Sequence, residues 1–246
     1  MRIFLEGEDA RAAHLGEMLK ARGHCLKAEG PWELVILSMP RTRMRRAMLE
    51  ALPKGQRIVA GMLPEEVNDL AREKEWRLFR PLADETYTSM NAILSAEGAV
   101  FYAMEQADFS LSGARCMILG YGRIGKALQK ILLGLGAKVT VAARREESRL
   151  AAGRDSIPFC DLTSHLHEMQ VIFNTVPARV LEKEQLSCIP KDALLLELAS
   201  PPYGMDLAAA GDMGLHAWGE WGIPGRYCPK SAANILFDYM DREALI

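Results

Sequence analysis

Cysteine is scarce in this chain and scattered. Cys25, Cys116, Cys160, Cys188 and Cys228 form no Cys-x-x-Cys pair. Their odd number and wide spacing argue against a disulfide framework and against a zinc site. His165 and His167 stand two apart, the wrong spacing to share a helical face, so no metal site is expected. No apolar run approaches the roughly 18 residues that span a bilayer. The N-terminus, Met1-Arg2-Ile3-Phe4-Leu5-Glu6-Gly7, meets a charge too early to be a signal-peptide core. Neither sign of charge dominates: 30 basic residues face 32 acidic ones, for a net charge of −2. That balance gives no reason to expect nucleic acid or another polyanion as a partner. Fixed-period repeats and low-complexity tracts are absent too. Together these absences predict a cytoplasmic protein without membrane or nucleic-acid partners.

What remains is an ordinary core-forming composition, 49% hydrophobic over 246 residues, enough for one large domain or two modest ones. The first ~80 residues alternate strand and helix signals. Strands are expected at Arg2 to Leu5, Leu34 to Leu37, Ile58 to Ala60 and Trp76 to Phe79. Helices are expected at residues 10–22, from Arg41 to Leu52 with a basic face (Arg41, Arg43, Arg45, Arg46), and from Glu65 to Lys74. Residues 84–107 form one long helical stretch, which at ~24 residues would run ~36 Å and read as a connector. A second alternating block begins at Ala114, and a last helix spans about 230–243. The fold class that follows is α/β: two doubly wound parallel-sheet domains joined by a long connector helix, the C-terminal one a Rossmann NAD(P)-binding fold. The expected division is a flavodoxin-like substrate domain at 1–88, a connector at 84–109, a Rossmann domain at 110–229 and a C-terminal helix at 230–246.

The most informative segment is the apolar strand Arg115-Cys116-Met117-Ile118-Leu119. It runs directly into Gly120-Tyr121-Gly122-Arg123-Ile124-Gly125 and then into a helical pattern. In that context Gly-x-Gly-x-x-Gly is a dinucleotide fingerprint. The glycines permit the turn, the approach of a pyrophosphate and close helix packing, while the helix N-terminus favours the anion. The next strand ends in Ala142-Ala143-Arg144-Arg145, with Arg144 24 positions after Gly120. An NAD-selective site places an acid there to accept the ribose hydroxyls. Two guanidinium groups instead suit a 2′-phosphate, which makes NADP the expected cofactor and NAD the lesser alternative. Thr175, Val176 and Pro177 close a later strand and are candidate contacts to the nicotinamide ribose. Trp218 and Trp221 read as packing residues.

Several stretches resemble the family of dipicolinate synthase A subunits from endospore-forming bacteria. They are Gly7-Glu8-Asp9-Ala10-Arg11, Asn91 to Gly98, the Gly120 loop with Ala142-Ala143-Arg144, and Phe173-Asn174-Thr175-Val176-Pro177. Further on come Glu197-Leu198-Ala199-Ser200-Pro201-Pro202-Tyr203-Gly204, Gly222-Ile223-Pro224-Gly225 and Pro229-Lys230-Ser231-Ala232. The pattern departs at Glu8, where a glycine is expected, and at Glu197, where Asp is expected. A wider resemblance, in layout, is to the D-2-hydroxyacid dehydrogenases. Those enzymes use an Arg just after the fifth Rossmann strand and a later His–Glu pair. Here Ser200 falls near the Arg position, and the last histidine is His216.

The resemblance implies oxidation of a dihydro- or hydroxytetrahydro-dipicolinate to pyridine-2,6-dicarboxylate in the mother cell of a sporulating bacterium. It also implies a partner, the B subunit of dipicolinate synthase, and homo-oligomerisation by analogy. A dianionic substrate needs cations and donors. The candidates are Arg11 and Lys230, with Asp9 orienting Arg11 or acting as a base. Asn91, Ser95 and Glu97 lie on the connector, and Ser200 and Ser231 could hydrogen-bond a carboxylate. Asp9 could equally be a helix cap, Glu97 a solvated helix residue and Lys230 a surface residue. Two other functional readings stay open: a reductase of another small carboxylate, and a non-catalytic NADP-binding partner protein.

Overall fold

The computed structural model describes every residue except Arg41, Arg43, Arg45, Glu220 and Trp221. The expected helical start at Arg41, most of the basic cluster and the Trp221 assignment therefore lie outside the described residues. The chain divides into two compact units, residues 1–94 with 224–246, and residues 95–223.

The first unit carries a parallel five-stranded sheet: β1 (Arg2–Leu5), β2 (Cys25–Leu26), β3 (Leu34–Ile36), β4 (Arg57–Val59) and β5 (Arg77–Phe79). Their order, β2-β1-β3-β4-β5, is the flavodoxin-like winding. The sheet is fixed in register by pairs such as Ile3 with Leu34 and Ile36 with Val59. Helices α1 (Ala10–Ala21), α2 (Arg46–Glu50) and α3 (Glu65–Glu73) connect the strands. In α1, Asp9 accepts a hydrogen bond from Ala12 N at 2.8 Å and so satisfies an N-terminal donor. Leu15 and Leu19, one turn apart, both face inward.

Helix α4 (Glu85–Gln106) is continuous, as the sequence pattern requires, and the division between the units falls within it, after Leu94. The second unit then builds a six-stranded parallel sheet from β6 (Arg115–Leu119), β7 (Lys138–Ala142), β8 (Ser156–Ile157), β9 (Val171–Asn174), β10 (Leu194–Glu197) and β11 (His216–Gly219). The order β11-β10-β9-β6-β7-β8 is that of a dinucleotide-binding Rossmann sheet, with its switch point between β6 and β9. Helices α5 (Arg123–Gly134), α6 (Glu146–Ala152), α7 (Leu162–Leu166), α8 (Lys183–Ser187) and α9 (Leu207–Asp212) flank it. Central strands β9 and β10 are buried throughout, which accounts for their unbroken apolar runs. Trp218 stacks on Tyr102, with ring centroids 3.9 Å apart, so its role in this unit is packing.

After the short helix α10 (Ile223–Tyr227), α11 (Pro229–Arg242) returns to the first unit. Leu236, Tyr239 and Met240 join Ile3, Leu15, Leu19 and Ile36 in one core. The opposite face of the first sheet packs Val35, Leu37 and Ile58 against Leu49, Leu52 and Trp76. Each fully buried aliphatic side chain contributes roughly 1.5–3 kcal/mol, so the C-terminal helix is an integral part of the first unit.

Candidate dinucleotide site

The site follows from how β6 ends. Gly120 lies at φ +93°, and a Cβ there would stand 2.6 Å from Thr175 Oγ1 and 2.8 Å from Val176 Cγ2. Thr175 cannot retreat easily, because its backbone N–H and its hydroxyl both donate to Leu119 O, at 2.9 and 2.8 Å. The chain must therefore turn through glycine at the switch point. Gly125, in the first turn of α5, packs so closely that a Cβ would meet Gly120 O at 2.3 Å. Gly122 differs from both. A Cβ there would meet nothing within 4 Å, and no side chain caps the helix that Gly122 begins.

A cleft of about 770 Å³ opens beside this turn. Gly120, Tyr121 and Gly122 form one wall, Thr175, Val176 and Pro177 another, and Arg144 and Arg145 a third side. The glycine cradle, the uncapped twelve-residue helix and two arginines make a site built for an anionic dinucleotide. Arg123, Ile124 and Gly125 form the first turn of α5, where their backbone would meet the pyrophosphate. The carbonyls of Ala143 and Arg144 are held by Arg149, whose Nη1 donates to them at 3.0 and 2.8 Å. This brace leaves the Arg144 and Arg145 side chains solvent-exposed on the cleft.

Several lining residues carry no sequence signal of their own. Tyr121 sits between the first two glycines. Its hydroxyl donates to Gln129 Oε1 at 2.5 Å, and Gln129 Nε2 donates to Ala152 O at 2.7 Å, which ties the loop to the end of α6. Burial pushes the Tyr121 phenol pKa up from its ordinary value. Ser148, Phe159 and Gln185 line the same cleft, as does Arg179, which pairs with Asp206 at 3.7 Å. These residues are far apart in sequence and show no common pattern until the sheet brings them together.

The candidate substrate residues are divided between the units. Asp9 caps α1 and also lies 3.6 Å from the Arg11 guanidinium. Arg11 is buried, its Nη2 donating to Met39 O. A Cβ on Gly225 would come within 3.4 Å of Arg11 Cζ, so the guanidinium packs directly against α10. Lys230 and Ser231 are exposed in the first turn of α11. Asn91 is half-buried on the part of α4 that belongs to this unit. Ser95, buried, and Glu97, exposed, lie on the part of α4 that belongs to the second unit, and Ser200 is exposed just beyond β10. Among the described residues, no group of three or more His, Cys, Asp or Glu side chains converges on a point. Likewise, no helix among them is long and apolar enough to cross a membrane.

A Rossmann sheet with a glycine-lined cleft at its switch point is the architecture of a dinucleotide-binding domain. In agreement, residues 86–200 match the family of D-isomer specific 2-hydroxyacid dehydrogenase NAD-binding domains. More particularly, the chain resembles the A subunit of dipicolinate synthase. It is 28% identical to that protein of Bacillus subtilis (strain 168) over 203 residues, covering 81% of this chain and 68% of the relative. The fold is shared with the crystal structure of the dipicolinate synthase A subunit from Bacillus halodurans, at a TM-score of 0.88 and 24% identity, over 98% of this chain and 97% of that one. It is also shared with the crystal structure of its counterpart from Bacillus subtilis, at a TM-score of 0.85 and 23% identity, over 99% of this chain and 95% of that one.

Proposed function

We propose that the chain is the NADP-dependent dehydrogenase component of a dipicolinate-forming enzyme. Together with a second subunit, in a sporulating cell, it oxidises a dihydrodipicolinate, or a hydroxytetrahydrodipicolinate that first loses water, to pyridine-2,6-dicarboxylate, a hydride passing to NADP and a proton to a base or solvent. The observation that carries the cofactor choice is the pair Arg144 and Arg145, both on the cleft where an NAD-selective site presents a carboxylate. Their guanidinium groups take the 2′-phosphate. The first turn of α5 takes the pyrophosphate, and Thr175, Val176 and Pro177 meet the nicotinamide ribose. When bound, the dinucleotide supplies the hydride acceptor. The ring gains aromaticity as it is oxidised, so the protein's main tasks are to position the substrate and collect a proton.

The dianionic substrate is assigned to Arg11, Asn91 and Lys230 of the first unit, with Asp9 orienting Arg11. Self-association is supported by large apolar side chains exposed along α4, namely Met90, Ile93, Phe101 and Met104. The match to 2-hydroxyacid dehydrogenases favours one second reading, a reductase of a small 2-keto acid. Turnover of 2-keto acids with NADPH separates the two.

The cofactor assignment is tested by replacing Arg144 and Arg145 together with Ala. Loss of two charge-assisted contacts weakens NADPH binding about a hundredfold and leaves NADH binding within about threefold. Equal losses for both cofactors contradict the assignment.

A further inference from the structure

Glu197 has no part in the reading above, yet it is the one acidic side chain buried among the described residues. It ends β10 directly beside Asn174, which ends β9, and the two are paired in register. They are 1% and 0% exposed. Both carboxylate oxygens accept from Asn174 Nδ2, at 2.7 and 2.9 Å. Oε1 also accepts from Ala199 N at 2.9 Å, and Oε2 from Gly204 N at 3.0 Å and Met205 N at 2.8 Å. Every group aimed at this carboxylate is therefore an N–H donor.

Asn174 passes the constraint on. Its Oδ1 accepts from Val176 N and its Nδ2 donates to Val176 O, both at 3.1 Å, so both backbone polar groups of one cleft-lining residue are held. The loop after β10 closes from the other side. A Cβ on Gly204 would stand 2.4 Å from Asn174 Nδ2 and 2.5 Å from Val176 O. Burying a carboxylate is costly even when it is well hydrogen-bonded. Here burial lifts the Glu197 pKa above its ordinary value, while the four donors pull it back toward the ionised form. A neutral residue could fill the same space without that cost, but it could not accept from four donors at once.

We propose that Glu197 is a positioning residue for the dinucleotide. Through Asn174 it fixes the backbone of Val176 as a wall of the cleft, and through Ala199, Gly204 and Met205 it latches the 198–205 loop to that wall. The proposal rests on the reading that the cleft holds a dinucleotide. It differs from the Arg144–Arg145 assignment in its signature, because a displaced wall weakens NADPH and NADH alike.

The test is titration of wild type, E197Q, E197D, N174S and the E197Q/N174S double variant with NADPH and with NADH. In E197Q an amide nitrogen faces backbone N–H groups, and both affinities fall about tenfold. E197D keeps the charge and restores both to within about threefold of wild type. N174S keeps a donor for the carboxylate but cannot span both groups of Val176, and it loses about as much as E197Q. The double variant is no worse than the weaker single, as expected of residues acting in one chain of contacts. If E197Q does not fold, N174S decides by the same values. The proposal is overturned if E197Q and N174S bind like wild type, or if E197D binds as weakly as E197Q, which is the mark of packing alone. If the wild type binds neither dinucleotide, the cofactor reading itself fails and takes this proposal with it.

Discussion

Gly120 and Thr175 meet at the switch point of the second sheet: a Cβ on Gly120 would stand 2.6 Å from the Thr175 hydroxyl, which is itself bonded to Leu119 O. Gly122, two residues on, faces open space at an ordinary φ of −81°. The two glycines therefore respond differently to the same substitution. Gly120→Ala combines a left-handed backbone with a close contact, and costs about 1–3 kcal/mol of stability. Gly122→Ala meets no contact and costs only about 0.5 kcal/mol through the N-cap preference for Gly over Ala, yet it narrows the space assigned to the pyrophosphate and weakens dinucleotide binding. Thermal unfolding and NADPH titration of both variants check this. Equal destabilisation by the two would contradict the geometry.

Arg11 makes a buried structural bond and is also proposed to anchor substrate, and a single variant separates the two. Its guanidinium is buried and bonded to Met39 O, so Arg11→Ala leaves a buried carbonyl unsatisfied and costs about 2 kcal/mol. The dinucleotide cleft is built from residues 120–185, so NADPH affinity is unchanged. The apparent substrate constant rises if Arg11 anchors a carboxylate. An unchanged constant with lowered stability makes Arg11 a brace between the Met39 carbonyl and α10 and removes it from the substrate set.

Asp84 gives a pH prediction with a definite sign. The Arg242 guanidinium, 2.9 Å away, and the Tyr87 N–H, 2.6 Å away, both favour the ionised carboxyl and hold its pKa below the usual carboxylate value. A depressed carboxyl contributes stability above its unfolded pKa and loses it as pH falls through the folded one. At neutral pH, Asp84→Asn is less stable than wild type, because the start of α4 and the end of α11 lose their shared anchor. The difference shrinks as pH falls below the carboxylate range, and unfolding midpoints of the two proteins along an acid series measure it. A gap that stays constant down to low pH contradicts the assignment.

Much of this was legible in the sequence. The Gly120 loop, α5 at 123–134 and the strands at 115–119 and 138–142 follow from period, glycine spacing and apolar runs, which are local signals. Strands β2 and β8 were not legible, because two residues each carry no periodicity. The short helix α10, within the Gly222-Ile223-Pro224-Gly225 stretch and beyond, was not legible either, because five residues give too little periodicity. Glu197 stood out in sequence only as a departure from Asp, since its meaning depends on Asn174, 23 positions away across two strands. Asp9 was readable both as cap and as site residue, and its bond to Ala12 N supplies the first without deciding the second.

The central claim is that this chain oxidises a cyclic dipicolinate precursor with NADP. It is tested most directly by mixing the protein, with its candidate second subunit, with that precursor and NADP, and following ultraviolet absorbance for pyridine-2,6-dicarboxylate. The account predicts dipicolinate and NADPH appearing in equal amounts, with the rate reduced in the Arg144→Ala/Arg145→Ala protein. NADP binding without any dipicolinate, even with the second subunit present, would contradict it.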